Sequence, residues 1–229
     1  MTDTTLTSIK ACVFDAYGTL FDVHAPVGRL AGRLGEKAGP LSDMWRLKQL
    51  QYTWLRSLMG AHADFWQVTG EALDFAMAAH GVADAALRDE LMALYRRLDA
   101  YEDAAPALEA LKARGLKTAI LSNGNPDMLQ AAVTSAGLGN LLDATYSIED
   151  VGIYKPDPKV YAMASEGLGV MPREICFVSA NGWDAAGAAF FGFQVTWLNR
   201  FAQPPENLPG APAAVITGLG ELPGLIGAA

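Results

Sequence analysis

The apolar pattern of this chain changes period twice. Residues 11–14 (Ala11, Cys12, Val13, Phe14) form a continuous apolar run, as in a strand buried on both faces. From about residue 23 to residue 102 the pattern is helical, with no convincing strand. Within residues 41–60, Leu47, Leu50, Trp54 and Leu58 share one stripe, and Tyr52, Leu55 and Met59 form a second. Ser42 is the expected N-cap of that helix and Gly60 its stop. Further helices are expected over residues 64–80, stopped by Gly81, and over 84–98. From residue 104 onward strands and helices alternate. Helices are expected over 105–114, 126–136, 159–168 and 185–191, and strands over 116–121, 143–147, 174–178 and 193–198. A proline-rich loop at 203–212, an edge strand at 214–217 and a short tail helix complete the chain. This alternation predicts an α/β fold: a doubly wound parallel sheet with right-handed crossovers and a helical insertion after its first strand. The expected division is a Rossmann-like core of residues 1–22 and 103–229 and a helical cap of residues 23–102.

In such a sheet, ligands bind beyond the carboxyl ends of the strands. Asp15 terminates the first apolar run, and Gly18 permits a tight turn after it. Ser122 and Asn123 follow a second run; Ser179, Asn181 and Asp184 follow a third; Lys155 lies in a loop that opens a helix. Each has an ordinary alternative explanation. Asp15 could cap a turn, Ser122, Ser179 and Asp184 could cap helices, and Lys155 and Arg46 could be solvated. Their convergence on one sheet edge is what marks a site.

Composition narrows the class. Apolar residues make up 51% of the 229 and charged residues 18%, which describes a globular chain rather than a disordered one. A net charge of −8 without a basic stripe argues against nucleic-acid or anionic-membrane partners, and makes well-placed cations such as Arg46 and Lys155 conspicuous. Cys12 and Cys176, the only cysteines, lie inside apolar runs and read as buried reduced thiols. The first eight residues lack the basic start and apolar core of a signal peptide, and no apolar run approaches the ~20 residues of a membrane span. A cytoplasmic enzyme is expected.

The segments Phe14-Asp15-Ala16-Tyr17-Gly18-Thr19-Leu20, Ser122-Asn123, Tyr154-Lys155-Pro156 and the cluster from Ser179 to Asp184 resemble, in order, the four motifs of the haloacid dehalogenase superfamily. Phosphatases of that superfamily carry a second Asp two residues after the nucleophile, where this chain has Tyr17, which cannot act as a general acid and base near neutral pH. They also hold Mg²⁺ with an acidic residue four positions before a later Asp; if that Asp is Asp184, the position is Ala180, and a methyl group offers no oxygen ligand. Both departures count against the alternative, a Mg²⁺-dependent phosphatase acting on a small phosphate ester. The chain is similar instead to the L-2-haloacid dehalogenases. Their lid helix is matched throughout from Met44 to Arg56, and their last motif by Ser179, Asn181, Trp183 and Asp184, with Ala180 in place of a common Ser.

The resemblance implies metal-free, cofactor-free hydrolysis of short L-2-haloalkanoic acids to D-2-hydroxy acids through an ester on Asp15. Lys155 is expected to keep Asp15 ionised, with Thr19 and Ser179 orienting its carboxylate. Arg46 and Asn123 are expected to receive the halide, while Ser122 and the backbone N–H groups after Asp15, at Ala16 and Tyr17, take the substrate carboxylate. Asn181 and Asp184 are expected to position and activate water with Lys155 assisting, the alternative for Asp184 being that it serves mainly to hold Lys155. Tyr17, Leu50, Phe65 and Trp183 are expected to line an apolar pocket. A homodimer is expected from the two-sided apolar lid helix and from the resemblance.

Overall fold

The computed structural model describes residues 5–227; residues 1–4, half of the stretch read as carrying no signal peptide, lie outside it. A six-stranded, fully parallel sheet runs in the order β3-β2-β1-β4-β5-β6. The strands are β1 (Ala11–Phe14), β2 (Lys117–Ser122), β3 (Ala144–Ser147), β4 (Ile175–Ser179), β5 (Gln194–Leu198) and β6 (Ala214–Ile216). Every residue of β1 is buried, as its unbroken apolar run requires. Phe14 pairs with Ile120 of β2 and with Val178 of β4, so β1 sits where the winding reverses direction. That reversal opens a crevice beyond the carboxyl ends of β1, β2 and β4. Cys12 and Cys176 are buried register partners in β1 and β4 and remain free thiols.

Between β1 and β2 lie α1 (Ala25–Arg29), α2 (Ala31–Leu34), α3 (Ala38–Met59), α4 (Phe65–Ala79), α5 (Ala85–Tyr95) and α6 (Ala104–Ala113). Later come α7 (Pro126–Ser135), α8 (Pro158–Leu168), α9 (Gly182–Phe191) and α10 (Leu222–Leu225). The chain enters and leaves the helical segment at one place: Asp22 N–H donates to the Asp99 carbonyl at 2.9 Å, and Tyr101 N–H to that of Leu20 at 2.9 Å. Among the described residues, no helix is long and apolar enough to cross a membrane.

The termini of α4 and α5 follow from the residues expected to open them. Asp64 and Asp84 accept from the N–H groups of Gln67 at 3.0 Å and Leu87 at 2.9 Å. Gly60, at φ 65°, ends α3 in the left-handed conformation that favours glycine. The start of α3 differs from expectation. It begins at Ala38 rather than near residue 41, because Pro40 falls in the first turn, where its missing N–H has no partner to lose. Ser42 is therefore inside the helix rather than its cap, with Oγ 2.7 Å from His24 Nδ1.

The buried face of α3 also differs. It runs through Leu41, Ser42, Trp45, Gln49 and Thr53, whereas Leu47, Leu55, Leu58 and Met59 are exposed. Gln49 and Thr53 reach the interior because each finds hydrogen-bond partners there, Gln49 on α4 and α5 and Thr53 on the Leu50 carbonyl. Their polarity hid the packed face from the hydropathy pattern and left an apolar stripe outward.

Candidate active site

Asp15 directly follows β1, and its own N–H still donates to the Val178 carbonyl, at 2.9 Å, so the sheet fixes its backbone. Gly18, at φ 95°, turns the chain so that Thr19 comes back beneath the carboxylate. Asp15 Oδ2 accepts from Thr19 Oγ1 at 3.0 Å and from Asn181 Nδ2 at 2.8 Å; Oδ1 accepts from Lys155 Nζ at 3.1 Å. Thr19 is held in turn, its Oγ1 accepting from Ala180 N–H at 2.8 Å.

Lys155 is buried and shared by two carboxylates: its Nζ also donates to Asp184 Oδ2 at 2.8 Å and lies 4.9 Å over the Phe177 ring. Burial alone pushes its pKa down, but Asp15 and Asp184 together outweigh burial and hold the ammonium above the ordinary lysine value. Burial raises the Asp184 carboxyl despite the opposing pull of Lys155. Asn123, just beyond β2, accepts from Lys155 N–H through Oδ1 at 3.1 Å and so anchors the lysine loop.

Arg46 reaches this cluster from α3. Its Nη2 donates to the Tyr17 carbonyl at 2.9 Å and to Asn181 Oδ1 at 3.1 Å, and its Nη1 donates to Gln49 at 2.8 Å. Because Arg46 occupies the Asn181 oxygen, the Asn181 amide nitrogen faces Asp15. Tyr17 packs on Phe65 at 5.4 Å and stacks on Tyr95 at 5.9 Å. Gly124 lets the Tyr17 ring approach, since a Cβ there would stand 2.6 Å from Cε2. Burial, then the neighbouring Tyr95 and Asp15, pushes the Tyr17 phenol well above its usual range.

Thus Asp15, Thr19, Arg46, Lys155, Asn181 and Asp184 form one hydrogen-bonded cluster, with Asn123 on its lysine loop. Ser179 departs from its expected contact. Its Oγ accepts from Asn181 N–H at 3.1 Å and makes no bond to Asp15, because the short turn after β4 directs it to its own loop. Asp184 is fully buried, with Oδ2 on Lys155 and Oδ1 accepting from Tyr161 at 2.8 Å, so it holds Lys155 rather than facing a space for water. Ser122 Oγ accepts from Gly124 N–H at 3.0 Å. The expected pocket residues divide: Tyr17 and Phe65 meet, whereas half-buried Trp183 packs edge-on against Trp54 of α3 at 5.3 Å, and Leu50 lies half-buried on the same helix.

Tyr161, Gln49 and Tyr95 escaped the sequence reading. A signal for Tyr161 existed: it lies on the buried stripe of α8 with Val160, Ala164 and Leu168, and a buried tyrosine hydroxyl needs a partner. Tyr95 carried the same signal, on the buried stripe of α5 with Leu87, Leu91 and Met92, whereas Gln49 carried none, since a glutamine on a helix is by default solvated.

The donor set does not fit Mg²⁺. Ala180 offers no oxygen from its side chain, and all the carboxylate oxygens of Asp15 and Asp184 already accept from protein N–H or O–H groups.

Residues 9–192 match the model of the haloacid dehalogenase-like hydrolases. The chain is 52% identical over 200 residues to (S)-2-haloacid dehalogenase 4A of Burkholderia cepacia, covering 87% of each chain. It superposes on a dehalogenase crystallised with an intermediate complex at a TM-score of 0.94, with 49% identity over 96% of this chain and 98% of the other. The L-2-haloacid dehalogenase of Xanthobacter autotrophicus with chloropropionic acid covalently bound gives a TM-score of 0.88 and 42% identity, covering 95% and 98%. With a carboxylate nucleophile position, a buried lysine and no magnesium donor set at the switch point of the sheet, the chain belongs to the haloacid dehalogenase-like hydrolases, in the L-2-haloacid dehalogenase family.

Proposed function

We propose that this enzyme hydrolyses short-chain L-2-haloalkanoic acids to D-2-hydroxyalkanoic acids, with Asp15 as the nucleophile. The observation that carries the reading is the buried Asp15, its carboxylate held by Lys155, Thr19 and Asn181 without an acid-base carboxylate at Tyr17 or a metal ligand at Ala180. A carboxylate oxygen attacks the halogen-bearing carbon in line; the carbon–oxygen bond forms, the halide leaves with the bonding electron pair, and the carbon inverts. Water then adds to the Asp15 carbonyl carbon, the acyl–oxygen bond breaks, and the hydroxy acid leaves with one water hydrogen while a proton is released.

Each neighbour has a part in this scheme. Lys155 pairs with the Asp15 carboxylate and orients it, and Asp184 with Tyr161 keeps Lys155 in place. Arg46 and Asn123 receive charge building on the halide. Ser122, whose oxygen already accepts from Gly124, donates its hydroxyl hydrogen to the substrate carboxylate beside the N–H groups of Ala16 and Tyr17. Asn181 positions the attacking water, and Ser179 keeps the Asn181 loop in shape. Tyr17 and Phe65 wall the carbon chain on one side, with Leu50 and Trp183 from a second group facing it, where exclusion of bulk water strengthens each electrostatic contact. Residues 23–102 act as a cap domain on the core of residues 1–22 and 103–229, and the enzyme works in the cytoplasm.

The direct test is halide release from each enantiomer of 2-chloropropionate with EDTA present, beside phosphate release from a generic phosphate ester with Mg²⁺. Halide from the L form alone, indifferent to EDTA, is expected; phosphate release without halide contradicts the proposal. Arg46→Ala is expected to lower kcat by about a hundredfold to a thousandfold, the usual cost of removing one donor to developing charge. Near-normal turnover would remove Arg46 from the halide site.

The outward stripe of α3 supports the homodimer. Leu58 is 85% exposed and Met59 74%, with Leu47 and Leu55 on the same helix, a costly surface unless a second copy covers it. Sedimentation should give a dimer that Leu58→Glu, Met59→Lys converts to active monomer. A monomer at micromolar concentration before substitution would contradict this.

A further inference from the structure

The buried polar face of α3 has a use beyond packing. Gln49 is 1% exposed and stands among Arg46 on its own helix, Thr69 on α4 and Tyr95 on α5. Thr69 Oγ1 donates its only hydrogen to the Phe65 carbonyl at 2.6 Å, so it can only accept from Gln49 Nε2, which lies 2.7 Å away. That commitment fixes the amide. Its oxygen must point the other way, to Arg46 Nη1 at 2.8 Å. The other guanidinium nitrogen, Nη2, donates to Asn181 Oδ1 at 3.1 Å, and Asn181 Nδ2 donates to Asp15 Oδ2 at 2.8 Å. A continuous hydrogen-bond chain therefore runs from the backbone of α4 to the nucleophile, with Arg46, which can only donate, giving one hydrogen to the Gln49 oxygen and another to the Asn181 oxygen.

From this we propose that Gln49 is a positioning residue for the reaction, acting through Arg46; the proposal rests on the dehalogenase reading above. The Gln49 site requires a neutral side chain that donates at one end and accepts at the other. Methionine has the length but neither function. Ionised glutamate accepts from Arg46 but cannot donate to Thr69, and it sets a negative charge against the guanidinium that the halide needs. Tyr95 braces the amide from the side, its hydroxyl 3.0 Å from Nε2, while its ring stacks on Tyr17. Without the brace the guanidinium keeps its charge but loses one of its three anchors, and small misplacements at a reacting centre cost up to about a hundredfold in rate.

The test is a double-substitution cycle on halide release from L-2-chloropropionate, with kcat and KM measured separately. Gln49→Met is expected to lower kcat about tenfold to a hundredfold while KM moves less than about threefold. In an Arg46→Ala background the same change is expected to have almost no further effect, because the residue it positions is gone. Gln49→Glu is expected to be at least as impaired as Gln49→Met at pH 7. Equal fold-losses from Gln49→Met with and without Arg46 would overturn the proposal in favour of simple packing, as would unchanged kcat in a folded Gln49→Met protein. If Gln49→Met fails to fold, Thr69→Val and Tyr95→Phe, each removing one link, replace it in the cycle under the same criteria. Absence of halide release from the unsubstituted chain would overturn the dehalogenase reading itself, and this proposal with it.

Discussion

Asp15→Asn should release no halide from either enantiomer, and the variant should melt at or above the temperature of the unsubstituted chain. The first expectation follows from chemistry: a neutral amide oxygen is a far weaker nucleophile than a carboxylate, and no other carboxylate in the cluster can replace it. Asp184 lies behind Lys155, fully buried, with both oxygens engaged. The second follows from charge. The cluster confines two carboxylates around one buried ammonium, and removing one of them leaves Lys155 paired one to one with Asp184 at 2.8 Å. The amide nitrogen must face one of the donors that now address Asp15, a loss of about 1–3 kcal/mol that relief of the carboxylate repulsion offsets. Halide release near the original rate would show that the nucleophile lies elsewhere. A sharply lowered melting temperature with no activity would leave structure and chemistry confounded; Asp15→Glu, which keeps the charge and misplaces the oxygen, should then also be inactive.

Lys155→Met should have the largest combined effect on rate and stability. Without the ammonium, Asp15 and Asp184 face each other across a buried gap, and leaving buried charge unpaired costs about 3–5 kcal/mol. For a domain of this size that corresponds to a melting temperature lower by about 6–20 °C at pH 7. The variant escapes part of the cost by binding a proton, which raises a carboxyl pKa in the folded state above its unfolded value. Its stability should therefore rise as pH falls through that raised value, opposite to the usual carboxylate behaviour. Asp15 also loses the cation that orients its attacking oxygen, and turnover should fall by about a hundredfold to a thousandfold or more. In the unsubstituted enzyme the lysine pKa is raised, so its contribution to stability is fully present below the ordinary value of 10.5 and is lost only as pH rises through the higher folded value. The alkaline limb of kcat attributable to Lys155 should accordingly lie above pH 10.5. Loss of activity with an apparent pKa near 8, assigned to Lys155 by its disappearance in Lys155→Arg, would contradict the arrangement.

Much of the fold was legible because its signals are local. The uninterrupted apolar run of β1, the Asp64 and Asp84 caps and the glycine that ends α3 each follow from a few neighbouring residues. The convergence of Asp15, Lys155, Asn181 and Asp184 was legible because a doubly wound sheet delivers strand ends to one edge whatever the detailed packing, whereas Thr19 followed only from the family resemblance. The face of α3 was not legible. Periodicity assumes that buried positions are apolar, and here Gln49 and Thr53 are buried polar groups with satisfied partners, while Leu58 and Met59 are outside. Ser179 was misjudged for a related reason. Its residue type and position fit a contact to Asp15, but a serine two residues before an N–H in a tight turn satisfies that N–H first. Tyr161 was overlooked because its partner Asp184 lies 23 positions away in sequence, and only the packing of α8 against α9 joins them.

In this scheme the substrate becomes an ester of Asp15. A single turnover of L-2-chloropropionate by excess enzyme in heavy-oxygen water, followed by mass analysis of the peptide that contains Asp15, tests it most directly. Attack by water on the ester carbonyl should leave heavy oxygen in Asp15 and ordinary oxygen in the first hydroxy acid released. Heavy oxygen in that first product, with an unlabelled Asp15 peptide, would mean that water attacks the halogen-bearing carbon itself and that Asp15 acts only as a base.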